Sequence, residues 1–496
     1  MKALMIQGTA SGVGKSVLVA GLCRLLERNG VSVAPFKPQN MSNNAAVTID
    51  GGEIGRAQAL QAFACGIEPS VHMNPVLLKP EAHGTARLVV RGKVVGTLRS
   101  ARFREERQQW LETVLESFSI LQTQYDVVLV EGAGSPAEPN LRAGDIANMG
   151  FAEAADIPVW LVGDIDCGGV FASLTGTLNI FSDSERARVK ALLINRFRGH
   201  LALLEDGLTW LERQSGKKVA GVVPWLPLHL PEEDAPYRLA TGYAHPAPDG
   251  FNIAVIAYPC LSNIDDLDPL FDEPSVSLRL INRPDQLQPA DLVILPGSKH
   301  VAADLDWLHE HGFVAALQKH LRYGGKILGI CGGMQMLGKE VMDKTGVEHS
   351  DSISGLGWLD ITTRMQPEKT LKRIETLACW PEQVPVTGYE IHYGDDHPDA
   401  TLFPFSHRSD DGLVLGTYLH GLFASGQFRR VWLAEMGLTT ESDEDHAHRV
   451  MTSLDLLADA LEQAIAPELL EAKRLKSVQG QEVWLEQSGE HHSAAF

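Results

Sequence analysis

The chain has 496 residues, of which 44% are hydrophobic, and a formal net charge of −20 at pH 7. This length predicts two or three domains with buried cores, and the negative charge argues against non-specific binding to nucleic acid or anionic membranes. The six cysteines are not spaced as in disulfide frameworks or metal sites, and no apolar run reaches the ~18 residues that a membrane span requires. A predicted strand begins at the first residue, so we expect no signal peptide. We therefore expect a cytoplasmic protein with neither membrane nor nucleic-acid partners.

The N-terminus predicts a phosphate-binding loop between an apolar strand at 1–7 and a helix at 17–28. Successive backbone N–H groups and the helix N-terminus would hold phosphate oxygens, Lys15 would neutralise them, and the Ser16 hydroxyl would ligate Mg²⁺. The loop departs from the strict pattern because Thr9 stands where the first glycine is expected. The predicted nucleotide-binding residues are Gly8, Thr9, Ser11, Gly12, Val13, Gly14, Lys15 and Ser16, with Asn195 from the end of a later strand.

Apolar runs alternate with amphipathic helices through the first half of the chain, at 31–36, 127–130, 159–162 and 191–194. This alternation predicts an α/β fold with a doubly wound, mostly parallel sheet. Glu131 ends one of these strands beside glycines, where it would hold Mg²⁺ directly or through water. The alternative is that Glu131 is an ordinary loop residue at a strand end.

The loop after the second predicted strand, 36–44, is unusually dense in amide and hydroxyl groups. Ligands of open α/β sheets bind at the carboxyl ends of strands, so we expect this loop to contact a polar substrate. The alternative is that its amides only brace the loop. The predicted substrate-binding residues are Lys37, Gln39, Asn40, Ser42, Asn43 and Arg56.

A proline-rich stretch divides the chain. We interpret 224–250 as a linker, with an ordered loop as the alternative. A second α/β alternation begins with apolar runs at 252–257, 292–295 and 326–330, and 443–466 predicts a helix with one apolar face. The predicted organisation is therefore 1–223 (α/β domain with the phosphate loop), 224–250 (linker), 251–440 (second α/β domain) and 441–496 (C-terminal helix and polar tail, the tail disordered from 479).

Cys331 lies in Gly-Ile-Cys-Gly-Gly, between an apolar strand and a helical pattern. Such glycines permit the sharp strand-to-helix turn of a nucleophile elbow, and the N–H groups of the following helix favour thiolate. His420 ends another apolar strand and would serve as the base of Cys–His acyl chemistry. The alternative for Cys331 is a small buried core residue. The residues predicted to stabilise the oxyanion and bind the acyl substrate are Gly332, Gly297, Ser298 and Gln335.

Several segments resemble known families. The phosphate loop is similar to that of dethiobiotin-synthetase-like ATP-dependent ligases, and segments 36–44, 52–58 and 73–80 resemble the glutamine-hydrolysing cobyric acid synthases. The second domain resembles class I glutamine amidotransferases, with Cys331 as nucleophile, His420 as base and 388–392 as a further similar segment. One position departs from the wider amidotransferase pattern, because Leu422 stands where the triad glutamate is expected. What orients His420 is thus left open.

The resemblance implies an amidoligase that uses MgATP, L-glutamine and adenosylcobyrinic acid a,c-diamide, amidating four peripheral carboxylates in turn, with the corrinoid as substrate and no bound prosthetic group. Three alternatives are a partitioning ATPase, a cysteine hydrolase, and the sister cobyrinic acid a,c-diamide synthases. A partitioning ATPase would leave Cys331 without purpose, and the polar segment 39–44 favours the cobyric acid synthases over their sister group. The order of amidations, the ammonia route and the oligomeric state do not follow from the sequence.

Overall fold

The computed structural model describes residues 3–80, 85–99, 107–231, 250–344, 346–348, 352–396 and 402–467. The predicted disordered tail and most of the predicted linker, 232–249, lie outside the described residues. Within the described ranges, no helix combines the length and apolar character needed to cross a membrane. All six cysteines are free thiols.

Twelve strands and seven helices form the first half of the described chain. The strands are β1 (Ala3–Gly8), β2 (Val33–Phe36), β3 (Gln39–Met41), β4 (Ala45–Val47), β5 (Glu53–Gly55), β6 (Val76–Pro80), β7 (Thr85–Val90), β8 (Lys93–Arg99), β9 (Val127–Glu131), β10 (Val159–Asp164), β11 (Val189–Phe197) and β12 (Lys218–Pro224). The helices are α1 (Lys15–Arg28), α2 (Arg56–Ala64), α3 (Leu111–Gln124), α4 (Met149–Ala154), α5 (Val170–Ile180), α6 (Asp183–Arg188) and α7 (Glu205–Ser215).

The main sheet of this half is parallel throughout, in the order β12-β11-β10-β1-β9-β2. Its strands are buried on both faces and rich in Val, Ile and Leu, as expected where helices cover a parallel sheet on both sides. The predicted α/β fold with a mostly parallel sheet is confirmed. Strand β1 lies inside the sheet and carries the phosphate loop at its carboxyl end, beside the end of β9.

The second half of the described chain repeats this plan. Its strands are β13 (Phe251–Ile256), β14 (Leu261–Ser262), β15 (Val276–Ile281), β16 (Leu292–Leu295), β17 (Gly297–Ser298), β18 (Lys326–Ile330), β19 (Glu340–Met342), β20 (Ile353–Ser354), β21 (Thr362–Leu377), β22 (Pro385–Asp395), β23 (His407–Arg408) and β24 (Val414–Thr417). The helices are α8 (Asp268–Phe271), α9 (Val301–Glu310), α10 (Phe313–Arg322), α11 (Gly332–Leu337), α12 (Gly426–Met436) and α13 (His446–Ala464).

The central sheet of this half has the order β15-β13-β16-β18-β24-β23, and only the edge strand β23 runs antiparallel. The long antiparallel hairpin of β21 and β22 leaves this domain and packs on the first one. Tyr389 and Ile391 of β22 form a small apolar cluster with Ala45 and Val47 of the short β4–β5 hairpin. The β4–β5 hairpin of the first domain thus packs against the second domain.

The C-terminal helix α13 returns to the first domain, where its apolar face packs on the phosphate-loop helix α1. The predicted apolar positions are buried there: Val450, Leu454, Leu457, Leu461 and Ile465. Gly21 of α1 permits this close approach, since a Cβ atom at that position would lie only 2.6 Å from Leu457. The last described residues also join the sheet edge, as Ala466 N donates to Ala220 O of β12 at 3.0 Å.

This contact predicts a stability effect specific to the buried face. Leu457→Ala should lower the free energy of unfolding by about 2–5 kcal/mol, because it removes apolar burial and leaves a cavity against α1. The matched control is the neighbouring Leu456→Ala, whose side chain is 44% exposed and should cost far less. Urea unfolding followed by circular dichroism measures both, and equal losses would contradict the packing described for α13.

Candidate active site

Cys331 stands on a strained turn between β18 and α11. Its backbone has φ 51° and ψ −111°, an uncommon conformation for a residue other than glycine. Two flanking glycines make the turn sterically feasible. A Cβ at Gly329 would lie 2.6 Å from Met334 N, and one at Gly333 would lie 1.9 Å from Leu295 O. The predicted strand-turn-helix geometry around Cys331 is therefore present.

His420 reaches Cys331 because their strands are neighbours. Strand β24 pairs with β18, and Cys331 N donates to Thr417 O at 2.7 Å. The imidazole of His420 is buried, and its Nδ1 lies 2.6 Å from Asp266 Oδ2. Gly421 N donates to the other carboxylate oxygen of Asp266 at 2.9 Å. Asp266 thus orients His420 from a different part of the chain, while Leu422 is buried in the apolar core.

This arrangement leaves Nε2 of His420 as the nitrogen available to Cys331. Within the described residues the buried Nε2 has no hydrogen-bond partner, and the Cys331 thiol is directed to Ile391 O at 3.8 Å. The thiol and the imidazole are nevertheless close enough for each to shift the pKa of the other. The ring of Tyr389 stacks on that of His420 with centroids 5.2 Å apart, which fixes the plane of the imidazole.

The pKa values of the two groups shift in opposite directions. Burial raises the pKa of the Cys331 thiol, but interaction with His420, with smaller effects of His392 and Lys299, outweighs burial and lowers it. Burial lowers the pKa of His420, but the Asp266 carboxylate and then Cys331 outweigh it and raise that pKa to about 10. Both shifts favour a thiolate–imidazolium pair, the reactive form of a cysteine nucleophile.

A cavity lies in front of Cys331 and is lined by both domains. Gly332, Ser298 and Gln335, all predicted from the sequence to bind the acyl substrate or the oxyanion, line it. Gly297 lies behind them, where a Cβ would be 3.6 Å from the His420 ring. The charged side chains of the lining are Lys79, Arg87, Lys299, Glu348 and Lys369, of which Lys79 and Arg87 belong to the first domain.

A second polar cluster, centred on Glu131 at the end of β9, lies beside the phosphate loop. Ser16 Oγ donates to Glu131 Oε1 at 2.7 Å, Lys37 Nζ donates to the same oxygen at 2.8 Å, and Gln61 Nε2 donates to Oε2 at 2.6 Å. Burial raises the pKa of Glu131, but Lys37 and these donors outweigh it and lower the pKa, so the carboxylate is ionised. The two predicted metal ligands, Ser16 and Glu131, are therefore adjacent.

Lys15 and Asn195 also lie at this loop. Lys15 Nζ donates to Ala10 O at 3.0 Å and Gly134 O at 2.8 Å, which holds the ammonium over the loop. Asn195 Nδ2 donates to Val13 O at 2.8 Å, so its side chain braces the loop from behind. The predicted loop residues from Gly8 to Ser16 are thus brought together with Asn195.

Most of the residues predicted to bind substrate make contacts within the protein, and Asn43 has an amide oxygen without a partner. Lys37 is buried against Glu131, and Asn40 Nδ2 donates to Gln58 Oε1 at 3.0 Å, so these side chains brace the loop. Ser42 is buried and accepts from Asn44 N, while Gln39 and Asn43 are half-buried. Asn43 Oδ1 has no hydrogen-bond partner within the described ranges. The guanidinium of Arg56 pairs with Asp265 of the second domain at 2.7 Å.

Comparison with known proteins shows the family to which each half of the chain is similar. Residues 4–236 match the CobQ/CobB/MinD/ParA nucleotide-binding domain family, and residues 252–428 match the CobB/CobQ-like glutamine amidotransferase domain family. A cobyric acid synthase of Halorhodospira halophila is 58% identical over 95% of this chain and 97% of its own length. One from Rhodobacter capsulatus is 50% identical over 93% of this chain and 97% of its own. The chain belongs to the cobyric acid synthase family. It is a glutamine amidotransferase-type amidoligase.

Sequence reasoning missed Asp266, which lies 154 positions before His420. In this member of the cobyric acid synthase family the carboxylate comes from the short 3-10 turn Ile264–Leu267, which follows β14. The only signal in the sequence was three acidic residues within four positions, Asp265, Asp266 and Asp268, in a segment with apolar neighbours. All three are buried, which is unusual for aspartate.

Asp266 should be essential to glutamine hydrolysis by this family member. Asp266→Asn keeps the shape but removes the charge that stabilises the imidazolium, so glutaminase turnover should fall by about 10²- to 10⁴-fold. Loss of that charge lowers the pKa of His420 and thereby raises that of Cys331. Alkylation of Cys331 by iodoacetamide at pH 7 should slow, and its pH profile should move to higher pH. An unchanged profile would show that Asp266 does not act through His420.

Proposed function

We propose that the chain makes cobyric acid by amidating the b, d, e and g carboxylates of adenosylcobyrinic acid a,c-diamide, using ammonia from glutamine and energy from ATP. The observation that carries this proposal is the presence of both sites in one chain that is 58% identical, over 95% of its length, to a cobyric acid synthase. The thiol, imidazole and carboxylate of one site release ammonia from glutamine. The phosphate loop of the other site binds the ATP whose γ-phosphoryl group activates the acceptor carboxylate.

In the glutaminase half, the Cys331 thiolate attacks the side-chain amide carbon of glutamine. Backbone N–H groups of Gly332 and Ser298 are suited to the resulting oxyanion, since a Cβ added at Gly332 would lie 2.8 Å from Ser298 N. His420 donates its proton to the leaving ammonia, and the C–N bond breaks to give a thioester. Water deprotonated by His420 then hydrolyses the thioester, releasing glutamate and restoring the thiolate.

In the ligase half, the acceptor carboxylate attacks the γ-phosphorus of ATP, giving an acyl phosphate and ADP. Ammonia then attacks the acyl carbon, phosphate leaves, and the amide loses one proton. Lys15 offsets charge on the transferring group. Ser16 Oγ and Glu131 Oε1, 2.7 Å apart, are suited to hold Mg²⁺, which takes few protein ligands and completes its shell with phosphate oxygens and water. Such an ion supplies charge neutralisation at the β- and γ-phosphates.

The cavity at Cys331 carries charges suited to the head group of an amino acid. Lys79 and Lys369 both pair with Glu53, whereas Lys299 and Glu348 line the same cavity and Glu348 Oε2 accepts from Val301 N at 2.9 Å. Burial is the largest effect on both groups, lowering the pKa of Lys299 to about 8 and raising that of Glu348 to about 7. We infer that Lys299 binds the α-carboxylate of glutamine and Glu348 its α-ammonium group. Each buried charge would gain the partner that offsets its desolvation.

This assignment predicts a crossed pattern of substrate selectivity. Glutaramate lacks the α-amino group of glutamine, and 4-aminobutanamide lacks its α-carboxylate. Glu348→Gln should reduce the preference for glutamine over glutaramate by about tenfold, because the variant loses its charged contact with the α-ammonium group. Lys299→Gln should reduce the preference for glutamine over 4-aminobutanamide by about tenfold, because it loses its charged contact with the α-carboxylate. Ammonia release measures kcat/KM for each pair. Equal losses for both analogues in both variants would contradict the assignment.

Two variants separate the halves of the reaction. Cys331→Ser should abolish glutamine-supported amidation and retain amidation supported by high ammonium at alkaline pH. Lys15→Ala should lower both by about 10²-fold or more, the cost of one electrostatic contact at a reacting centre, while Cys331 stays reactive toward glutamine analogues. Loss of both activities in folded Cys331→Ser protein would contradict the division of labour.

The corrinoid acceptor is tested by supplying the native protein with ATP, ammonium and either adenosylcobyrinic acid a,c-diamide or cobyrinic acid. Mass spectrometry should show four added amide groups on the a,c-diamide only. Amidation of cobyrinic acid at its a and c positions instead would assign the chain to the sister activity. Asn43→Ala should impair use of the acceptor while leaving glutamine hydrolysis intact, because its orphaned Oδ1 would then be lost as a contact.

A further inference from the structure

The segment that carries Asp266 is held from outside its own domain. Residues 263–266 contact the first domain at two points, through Asn44 and Arg56. Asn263 N donates to Asn44 Oδ1 at 2.8 Å, and Arg56 Nε lies 2.7 Å from Asp265 Oδ2. Asn44, Asn263 and Asp265 are all buried, so these contacts are shielded from solvent.

The second contact is next to the reacting groups. Asp265 directly precedes Asp266, whose carboxylate binds His420 Nδ1 at 2.6 Å. The Arg56 guanidinium also lies over the ring of Tyr389, 5.9 Å from its centroid, and that ring stacks on His420. Asn263 Nδ2 donates to Tyr389 OH at 3.0 Å. This hydrogen bond connects the turn that carries Asp266 to the ring that stacks on His420.

The backbone of residue 263 lies in the left-handed region, with φ 54°. Asparagine adopts this region more readily than most residues other than glycine. Here the hydrogen bonds to Asn44 and Tyr389 fix both the backbone and the side chain of Asn263.

Arg56 is connected to the phosphate-binding loop through its own helix, α2. Arg56 is the first residue of α2, and Gln58 and Gln61 of the same helix donate to Glu131 Oε2. Glu131 in turn accepts from Ser16 of the phosphate loop. A short, continuous set of buried contacts therefore runs from the phosphate loop through α2 to the base of the glutaminase site.

We propose that Arg56 and Asn44 are positioning residues for glutamine hydrolysis, by which the ligase domain sets the orientation of Asp266 and His420. The inference rests on the proposed glutaminase function and gives Arg56 a role other than the substrate contact expected from the sequence. Neither residue touches glutamine. They act on the rate of hydrolysis through the histidine.

The test compares Arg56→Ala and Asn44→Ala with Arg373→Ala in the full chain. Arg373 is the matched control, because it forms an ion pair with Glu68 across the same domain interface but on the solvent-exposed side. Arg56→Ala should lower kcat for glutamine hydrolysis by about tenfold to a hundredfold with little change in KM, since a displaced base slows chemistry rather than binding. Arg373→Ala should leave kcat unchanged.

Four further measurements distinguish positioning from other roles. Ammonium-supported amidation should be retained in Arg56→Ala, and Arg56→Lys should recover part of the glutaminase turnover because it restores the charge beside Asp265. The losses of Arg56→Ala and Asp265→Asn should not add in the double variant, since both break one contact. Iodoacetamide alkylation of Cys331 at pH 7 should slow in Arg56→Ala.

A parallel loss of glutamine- and ammonium-supported amidation would overturn the proposal and return Arg56 to the acceptor site. Unchanged glutamine turnover in Arg56→Ala would overturn it as well. Failure of the native protein to amidate any corrinoid with ammonium would instead refute the proposed function. The glutaminase and alkylation comparisons would still decide the role of Arg56.

Discussion

The chemistry at Cys331 depends on one buried hydrogen bond, between the imidazole of His420 and the carboxylate of Asp266. A buried carboxylate is unfavourable unless its oxygens have partners, and here one accepts from the ring and the other from Gly421 N. The same bond selects which ring nitrogen is presented to the thiol and stabilises the imidazolium. Without it, the strained turn at Cys331 would hold a nucleophile that has no correctly oriented base.

The two domains share their polar groups to an unusual degree. Lys79 and Lys369, from different domains, both bind Glu53, and Arg87 of the first domain lines the cavity at Cys331. The cavity at Cys331 is therefore lined by residues of both domains. This arrangement suits the proposed reaction, in which ammonia is an intermediate, because a site closed by its partner domain would keep that intermediate away from solvent.

Much of the architecture followed from local pattern. Parallel strands buried on both faces appear in sequence as continuous apolar runs, so the strands ending at Glu131 and before Cys331 were located to within a few residues. The phosphate loop and the cysteine turn depend on glycine spacing over a few positions, which a single sequence displays directly. Helix α1 begins at Lys15, against a predicted start at 17, while the predicted start of the first strand at residue 1 lies outside the described residues.

What sequence reasoning could not supply was contact between distant segments. Asp266 and His420 are far apart along the chain, and no local pattern links a short acidic turn to a histidine after a strand. Arg56 shows the same limit. Its position beside a polar loop suggested substrate binding, whereas the guanidinium is paired with an aspartate of the other domain. Tertiary structure, and not residue type, determines the partner of such a charge.

The packing of α13 on α1 also bears on how the protein is made. The phosphate-loop helix is translated long before the helix that covers its apolar face, which ends at Ala464. The first domain is thus discontinuous in sequence and cannot complete its core until α13 has been translated. During that interval the nascent chain exposes apolar surface on α1. A fragment that stops after β12 would retain this exposure permanently and would be prone to aggregation.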